Sequence, residues 1–460
     1  MAGPSASSIK VTDHGHVSPP PSSVPNTSLP LTFLDIPWLL CRPMQRLFFY
    51  QFPHSTLHFT HSILPSLKTS LSQALQTFYP FAAKLICPPS PYKPHILYTD
   101  GDSVPLIIAE SSADFDRIIC YHARDVKELH PFVPQLPAVT VLDNKRVVPL
   151  LSLQVTVFPN SGICIGATFC HVAGDGRSFN NFMKSWASIS RSTCKEEKAV
   201  PIFDRDGIIE KDPRGLESIF LNQWWSRPSN WEEDKAPAYE IFANKVRATF
   251  VLGRSDIERL KLHVSKHESE QLRLRASTFV VSCAFVWTCI IKAQKLRNRG
   301  EHEEDVHFCF VADCRNRPEL AIPETYFGNC LAICFARTKK SELLGENGLI
   351  EATKTIGNRV WEFEKEALLE AEKWISDWVE KSETGNLVTV AGSPKLRAYE
   401  TDFGWRKPKK TEVVHIDASG SISLGDCRDE EEGGIEIGLA LKRDEMEAFN
   451  SFFEQDLKAI

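Results

Sequence analysis

Paired cysteine spacing is the first feature that the sequence lacks. The chain has 13 cysteines in 460 residues, an odd number, and no two of them stand in a C-x-x-C arrangement. The nearest neighbours in sequence, Cys330 and Cys334, lie among apolar residues. Zinc sites and disulfide frameworks are usually marked by closer or regularly paired spacing. We therefore predict buried, reduced thiols and no metal site.

A basic charge excess and long apolar runs are also missing. The formal net charge is -6, from 53 Lys and Arg against 59 Asp and Glu, whereas a nucleic-acid-binding chain usually carries a basic patch. The longest apolar run, residues 279–291, falls well short of the roughly 20 residues that a membrane-spanning helix needs. Residues 1–10 are polar and contain no apolar signal core. These absences predict a cytosolic protein without nucleic-acid or membrane partners.

Length and composition are those of a large folded chain. Hydrophobic residues make up 42% and charged residues 24%, which is ordinary for a globular protein. At roughly 100–200 residues per domain, the length suggests several domains. Residues 196–240 are charged and repeatedly interrupted by proline, which is typical of a connection. We predict two α/β (α+β) domains of similar element content, 1–195 and 241–460, joined by a crossover at 196–240.

Hydrophobic periodicity predicts the main elements around the informative motifs. The proline- and serine-rich first thirty residues are expected to form an extended lead-in, with ordered structure beginning near residue 31. Helical spacing predicts a helix over 64–79 and one long helix over 349–380. Residues 147–158 and 162–170 are expected to form two strands around a turn, the second of them interior because it is nearly all apolar.

The stretch 169–176 combines a buried strand with reactive side chains. Phe169 and Cys170 end an apolar segment, and His171 and Asp175 follow, four residues apart. A histidine at the end of a buried strand can reach a cleft while its neighbours stay rigid, and an ordinary pKa of about 6.5 suits proton removal at neutral pH. The simpler alternative is a hydrogen-bonded histidine beside a surface turn, because H-x-x-x-D alone often arises by chance.

Two further stretches set polar residues beside aromatic ones. Residues 402–405 read Asp-Phe-Gly-Trp and are followed by Arg406. Residues 326–330 read Tyr-Phe-Gly-Asn-Cys, and the segment 313–318 before them contains Arg315. Taken alone, the first stretch predicts only a turn with aromatic packing, and the second predicts a strand, a loop and a return strand.

Together these motifs resemble those of the BAHD acyltransferases of plants, which carry H-x-x-x-D in mid-chain and D-F-G-W-G towards the C-terminus. The first motif is intact at His171 and Asp175. The second is nearly so, in Asp402, Phe403, Gly404 and Trp405, with Arg406 in place of the final glycine. The similarity spans nearly the whole chain and is strongest to the anthocyanin and phenolic-glucoside branch, in residues 29–39, 45–50, 78–82, 101–104, 326–330 and 391–394.

The resemblance implies a fold and a reaction. The expected fold has two chloramphenicol-acetyltransferase-like domains, each a mixed β-sheet with flanking helices, with an active-site channel between them. The expected protein is a monomer without a permanently bound cofactor. Its substrates would be an acyl-CoA, malonyl-CoA in the first place, and a phenolic or flavonoid glucoside. A hydroxycinnamoyl-CoA donor, or another alcohol or an amine as acceptor, is the alternative within this family.

The resemblance also assigns roles to the motif residues. His171 would act through Nε2 as the general base of a ternary-complex transfer. Asp175 would point away from His171 and pair with Arg315 across the domain interface, in a structural and orienting role. The motif at 402–405 would be structural and close to CoA. If residue 406 requires a positive φ, Arg406 would be strained there by about 1–3 kcal/mol.

Several residues are candidates for binding the CoA donor or the reacting acyl group. Arg177 could clamp a malonyl carboxylate bidentately, although most surface arginines are simply solvated. Ser277 and Thr278 stand at a helix start whose amides could meet a phosphate, although a plain N-cap explains them as well. An oxyanion needs a donor about 3 Å away, for which Ser393 and Thr389 are candidates.

Two alternatives of other classes stay open. A non-catalytic family member could act as a binding or regulatory protein, and a missing His171 would be its expected sign. A serine hydrolase would need an activated serine, but the sequence contains no G-x-S-x-G elbow. Cys170 adjoins His171, but neighbours on a strand point to opposite faces, so we expect no thiol–imidazole pair.

Overall fold

The computed structural model describes residues 9–191, 200–212, 214–227, 242–267, 275–295, 304–428 and 433–460. The β-strands in these ranges are β1 (Ile9–Val17), β2 (Thr27–Pro30), β3 (Met44–Gln51), β4 (Lys84–Cys87), β5 (His95–Tyr98), β6 (Val104–Ser111), β7 (Arg124–Asp125), β8 (Thr140–Leu142), β9 (Lys145–Pro149), β10 (Leu151–Phe158), β11 (Gly162–Phe169), β12 (Lys245–Leu252), β13 (Asp305–Asp313), β14 (Leu331–Lys339), β15 (Leu387–Ala391), β16 (Lys410–Val413), β17 (Ile422–Asp426) and β18 (Ile435–Lys442). The α-helices span Thr56–His58, Leu64–Thr77, Phe115–Ile118, Gly176–Arg191, Asp206–Ile209, Leu216–Trp225, Arg254–His267, Thr278–Lys295, Lys340–Leu344, Gly348–Lys365, Trp374–Glu383, Ile416–Ser419 and Arg443–Ala459.

The described strands form three sheets. A six-stranded sheet has the order β1-β6-β10-β11-β3-β16, a seven-stranded sheet has the order β14-β13-β15-β17-β18-β12-β7, and a smaller sheet has the order β2-β5-β4-β9-β8. The two larger sheets are mixed, because β10 pairs parallel with β6 and antiparallel with β11, and β13 pairs parallel with β15 and antiparallel with β14. Mixed sheets with flanking helices match the predicted architecture.

The centre of the six-stranded sheet is buried on both faces. Every residue of β10 and β11 is buried, which explains the nearly continuous apolar character of this stretch. Leu153, Val155 and Val157 belong to one hydrophobic cluster, whereas Phe158 and Cys164 belong to a second. A strand held on both faces is a rigid support for the residues that follow its end.

Two strands cross the boundary predicted at 196–240. β16 comes from the second half of the chain and pairs with β3 of the first, and β7 comes from the first half and pairs with β12 of the second. A buried charge cluster joins these strands, since Arg124 and Arg247 both contact Glu412, at 2.6 and 3.1 Å. The two halves therefore share sheets as well as an interface.

The N-terminal expectation was wrong. Ordered structure begins before residue 31, because β1 pairs antiparallel along β6 and β2 pairs with β5. Most of the side chains of β1 are exposed, so the strand is held by backbone hydrogen bonds at a sheet edge and leaves no hydrophobic alternation in the sequence.

The prediction of one long helix over residues 349–380 was also wrong. Two helices stand there, Gly348–Lys365 and Trp374–Glu383. Between them the chain turns, and Glu370 has a left-handed backbone with φ 56°. Both helices are amphipathic, so their apolar periodicity alone did not reveal the break.

The predicted crossover is described only in part. Residues 196–199, 213 and 228–240 lie outside the described ranges. The described remainder contains the helices Asp206–Ile209 and Leu216–Trp225. Across the described chain, no helix combines the length and apolar character needed to cross a bilayer.

Candidate active site

A cavity of about 2320 Å³ is lined by residues from both halves of the chain. Trp38 and His171 contribute from the first half, and Phe310 and Ser393 from the second. Its walls therefore come from both large sheets, as expected of a channel between two domains. Within the described residues, no group of three or more His, Cys, Asp or Glu side chains is arranged to hold a metal ion.

The strand β11 delivers His171 to this cavity. It ends at Phe169, whose ring stacks on Phe179 of the helix Gly176–Arg191 with centroids 4.3 Å apart. His171 then opens a 3₁₀ turn, His171–Ala173. The Cys170 thiol is buried and contacts the Pro149 carbonyl oxygen at 3.4 Å, and burial raises its pKa. Cys170 is therefore a protonated, enclosed thiol with no nucleophilic role.

Two contacts fix the plane and the tautomer of the His171 ring. The Trp38 ring stacks on it, with centroids 4.1 Å apart and an interplanar angle of 13°. His171 Nδ1 lies 2.9 Å from Asn329 Oδ1. Asn329 Nδ2 donates to the His171 carbonyl and to Asp35 Oδ1, so the amide oxygen faces the ring and accepts the Nδ1 proton. His171 Nε2 consequently carries the lone pair.

A buried carboxylate fixes the Asn329 amide in turn. Asp35 Oδ1 accepts hydrogen bonds from the backbone N and from Nδ2 of Asn329, both at 3.1 Å. Asp35 Oδ2 accepts from Thr32 and, at 3.0 Å, from the buried guanidinium of Arg205. Arg205 thus compensates the charge of the enclosed Asp35 carboxylate. The His171 ring is therefore oriented by a chain of contacts that ends in the crossover segment.

The electrostatics favour a neutral imidazole. Burial lowers the pKa of His171 below its ordinary value of 6.5, and the Asp175 carboxylate and the hydrogen bond to Asn329 only partly oppose this. At neutral pH the ring is unprotonated and can accept a proton at Nε2.

Asp175 turns away from His171 and joins the two halves of the chain. Its Oδ2 lies 2.7 Å from Arg315 Nη1 and accepts from the Cys330 backbone N, while its Oδ1 accepts from the Ser178 backbone N at 2.9 Å. Although burial alone would raise the pKa of the Asp175 carboxyl, Arg315 and these donors hold it below its usual value. Asp175 is thus an anion that orders the segment carrying Asn329.

The loop before β14 needs a glycine at position 328 to pack against the turn that carries Asp175. Gly328 has φ 147°, and a Cβ there would lie 2.7 Å from Tyr326 Oη. The Gly328 carbonyl accepts hydrogen bonds from the Asp175 backbone N and the Ser178 hydroxyl. The stretch 326–330 is therefore docked onto the turn that follows His171.

Arg177 lines the cavity but already has a partner. Its Nε lies 3.0 Å from Asp313 Oδ2, and both side chains are partly exposed. A donor carboxylate would therefore have to compete with Asp313 for the Arg177 guanidinium.

Ser277 and Thr278 line the cavity at the start of the helix Thr278–Lys295. The Ser277 hydroxyl accepts from the Val280 backbone N at 3.3 Å, which is the geometry of an N-cap. The simpler of the two sequence interpretations thus accounts for the Ser277 side chain.

Ser393 and Thr389 also face the cavity. The Ser393 hydroxyl accepts from the Lys395 backbone N at 3.3 Å, and the Thr389 hydroxyl is hydrogen-bonded to the hydroxyl of Ser421. Both hydroxyls are therefore already hydrogen-bonded, Ser393 within its own turn and Thr389 to a neighbouring segment, and neither contacts His171.

The Asp402–Trp405 motif lies away from the cavity lining and is an aromatic packing unit. Phe403 packs edge-on against Trp186 at 4.9 Å and stacks with Trp405 at 5.5 Å. Asp402 Oδ1 accepts from the Gly404 backbone N at 2.8 Å and closes the turn. Arg406 follows with φ 70°, so the conditional strain expected from the sequence applies.

Sequence reasoning missed four residues that shape the site. Each of them is distant from His171 in sequence: Trp38 by 133 positions, Asp35 by 136, Asn329 by 158 and Arg205 by 34. Trp38, Asp35 and Asn329 belong to segments that carry the family resemblance, 29–39 and 326–330, but nothing in their residue types signals contact with a histidine. Only the folded arrangement brings them together.

Comparison with known proteins settles the family. A model of the Transferase family matches residues 8–456. The chain belongs to this family. The resemblance to BAHD acyltransferases and the enzyme class expected from it, an acyltransferase, are confirmed.

Curated relatives are similar over almost the entire chain. A coumaroyl-CoA:anthocyanidin 3-O-glucoside-6''-O-coumaroyltransferase of Arabidopsis thaliana is 39% identical, covering 98% of this chain and 97% of its own length. A malonyl-coenzyme A:anthocyanin 3-O-glucoside-6''-O-malonyltransferase of Dahlia pinnata is 38% identical, covering 98% of each. The crystal structure of vinorine synthase superposes with a TM-score of 0.66 at 19% identity over 96% of each chain. This likeness confirms the predicted two-domain fold.

We predict that the Asp175–Arg315 pair stabilises the fold cooperatively. Arg315→Met leaves the buried Asp175 carboxylate without a cation, and Asp175→Ala leaves Arg315 with only the partly exposed Asp313, 3.2 Å away. Each change should lower the free energy of unfolding, by about 3–5 kcal/mol for Arg315→Met and by less for Asp175→Ala. The double variant should lose clearly less than the sum, because no lone charge remains. Urea unfolding followed by tryptophan fluorescence measures this. Arg259→Met, which breaks an exposed pair with Asp256, is the control, at roughly 0–1 kcal/mol. Additive losses would contradict the prediction.

We also predict that Arg406→Gly stabilises the chain. Glycine adopts a positive φ without the steric cost that an L side chain carries there, so unfolding should require about 1 kcal/mol more. Arg406→Ala keeps the Cβ and should show no gain, which makes it the matched control. Thermal and urea unfolding of the three proteins compare them, and an equal gain in both variants would show that the Arg406 side chain, not its φ, is responsible.

Proposed function

We propose that this protein transfers an acyl group, malonyl in the first place, from acyl-CoA to a sugar hydroxyl of a phenolic or flavonoid glucoside. The observation that carries the proposal is the neutral imidazole of His171, with Nε2 unprotonated, at the wall of a cavity lined by both halves. The relatives support these substrate classes, since their names specify anthocyanidin or anthocyanin 3-O-glucosides as acceptors and coumaroyl-CoA or malonyl-coenzyme A as donors.

The reaction needs one base and two aligned substrates. His171 Nε2 takes the proton of the sugar hydroxyl, and the oxygen attacks the thioester carbonyl carbon. The tetrahedral intermediate then collapses and breaks the carbon–sulfur bond, and the CoA sulfur takes the proton from Nε2, so that CoA leaves as the free thiol and His171 is neutral again. Positioning both substrates in one cavity supplies much of the acceleration. No covalent enzyme intermediate is required.

The remaining assignments belong to the same proposal. The protein works as a cytosolic monomer on small-molecule substrates, with acyl-CoA as co-substrate and without a tightly bound cofactor. Asp175 and Arg315 orient the catalytic turn. Ser277, Thr278 and Ser393 line the path of the CoA donor.

A hydroxycinnamoyl-CoA donor is the second candidate. It is favoured by the coumaroyltransferase of Arabidopsis thaliana, which is 39% identical, and by the pairing of Arg177 with Asp313 at 3.0 Å. A cation engaged in this way is less available to a malonyl carboxylate. The mechanism at His171 is the same for both donors.

We predict that purified protein transfers malonyl or p-coumaroyl from CoA to a phenolic glucoside and that His171→Ala lowers kcat by about 10²–10⁴-fold. Free thiol release and product mass measure turnover with each donor. His61→Ala, an exposed histidine, is the control and should match the wild type. CoA binding without turnover by any donor would instead support a non-catalytic family member.

The pH profile provides a second readout of the same prediction. The base must be unprotonated, and burial lowers the pKa of His171 below 6.5. We therefore expect kcat/KM to be constant near pH 7 and to fall only as the pH drops through a midpoint below 6.5. A midpoint above 6.5 would contradict a neutral, buried base.

A further inference from the structure

Arg46 is a cation in the wall of the same cavity. It lies on β3, opposite Ala167 of β11 on one side and Val413 of β16 on the other. Its side chain lines the cavity together with His171. The sequence analysis and the mechanism above assign it no role.

Arg46 differs from the other enclosed arginines because it has no anionic partner. Of the five arginines that are buried in the described chain, four contact a carboxylate at 2.6–3.1 Å, namely Arg124 and Arg247 with Glu412, Arg205 with Asp35, and Arg315 with Asp175. The fifth, Arg359, lies 3.6 Å from Glu362. Across the described residues, no carboxylate forms an ion pair with Arg46, and its Nε is buried without a hydrogen-bond acceptor. An enclosed charge without a partner is costly, so an arginine kept here calls for an anion from outside the chain.

The guanidinium stays charged in this position. Burial lowers the pKa of Arg46 to about 10, which still leaves it protonated at neutral pH. The positive charge in turn helps to lower the pKa of His171 and of His415, for both of which burial is the main cause. Arg46 therefore lies close to two neutral imidazoles, one of which is the base.

His415 adds a second donor beside Arg46. Its Nδ1 accepts a hydrogen bond from the Gln45 backbone N at 3.3 Å, so the proton of the neutral ring is on Nε2. His415 lines the cavity, and within the described chain its Nε2 has no hydrogen-bond partner. Gln45 precedes Arg46 on β3, so this hydrogen bond anchors His415 beside Arg46 at one end of that strand.

The space beside the guanidinium is kept open by Gly392. This residue has φ 78°, and a Cβ there would lie 3.7 Å from Arg46 Nη1 and 2.7 Å from the Leu424 carbonyl oxygen. Gly392 also lines the cavity. A small planar anion can therefore approach Nη1 of the guanidinium from the cavity.

We propose that Arg46, assisted by His415 Nε2–H, binds the free carboxylate of a dicarboxylic acyl-CoA donor and so makes the enzyme selective for malonyl-type donors. The inference rests on the proposed function and replaces Arg177 as the carboxylate-binding residue. A guanidinium with a free edge matches the two oxygens of a carboxylate. Arg177, in contrast, is already paired with Asp313.

The test compares donors rather than total activity. Wild type, Arg46→Met and Arg177→Met are assayed with malonyl-CoA, acetyl-CoA and p-coumaroyl-CoA on one glucoside. Losing a charge-assisted contact of about 1.5–3 kcal/mol should lower kcat/KM for malonyl-CoA by roughly 10–100-fold in Arg46→Met. The values for the two donors without a free carboxylate should change by less than about threefold, since the lost contact is one that they never make.

Several outcomes would overturn the proposal. An equal loss with all donors would place Arg46 at the oxyanion or at a CoA phosphate instead. A malonyl-specific loss in Arg177→Met that Arg46→Met does not share would restore Arg177. A wild type that neither binds nor uses malonyl-CoA better than acetyl-CoA would also overturn it, while His171-dependent p-coumaroyl transfer would leave the proposed acyl transfer intact.

Variants that keep the polar contact guard against misfolding. Arg46→Gln retains hydrogen-bond donors without the charge, and Arg46→Lys retains the charge without the planar fork. Calorimetric binding of malonyl-CoA and of acetyl-CoA to each variant gives a readout that does not depend on turnover. Arg46→Gln should bind the two donors with nearly equal affinity, and Arg46→Lys should keep an intermediate preference for malonyl-CoA. A full malonyl preference in Arg46→Gln would overturn the proposal.

Discussion

The site depends on the ion pair between the buried carboxylate of Asp175 and Arg315. The carboxylate joins the turn after His171 to the second half of the chain through Arg315 Nη1 at 2.7 Å and the Cys330 backbone N at 3.2 Å. Both side chains of the ion pair are almost fully buried, so neither charge is stable there without the other. The pair therefore holds the two halves of the chain in register.

The alignment of the two halves also sets the orientation and the tautomer of the His171 ring. Asn329, which orients His171, stands beside Cys330 in the segment that Asp175 holds. A second buried carboxylate, Asp35, fixes the amide from the other side and is itself neutralised by Arg205. The tautomer of a histidine in the first half is thus set by residues of the second half and of the crossover. If the halves separated, His171 would remain in the first half but would lose the contact with Asn329 that orients its ring.

The sequence predicts what is local and misses what is spatial. His171, Asp175 and the 402–405 motif are visible because strand end, spacing and family pattern lie within a few residues of one another. Asn329 and Asp35 are invisible because their partners stand far away in sequence, and an amide or a carboxylate has many ordinary roles. β1 was missed for a related reason, since it is held by backbone hydrogen bonds along β6 and shows no hydrophobic alternation.

The two cavity arginines illustrate the same distinction. Proximity to the motif singled out Arg177, which stands two positions after Asp175. Its exposed charge, however, is compensated by Asp313. Arg46 carries no motif, but it is enclosed and uncompensated. For a buried anion site the decisive property is a charge that the protein leaves unpaired, because only such a charge gains more from the ligand than it gives up. Charge pairing in the folded chain, rather than distance from a motif, therefore identifies the donor-binding cation.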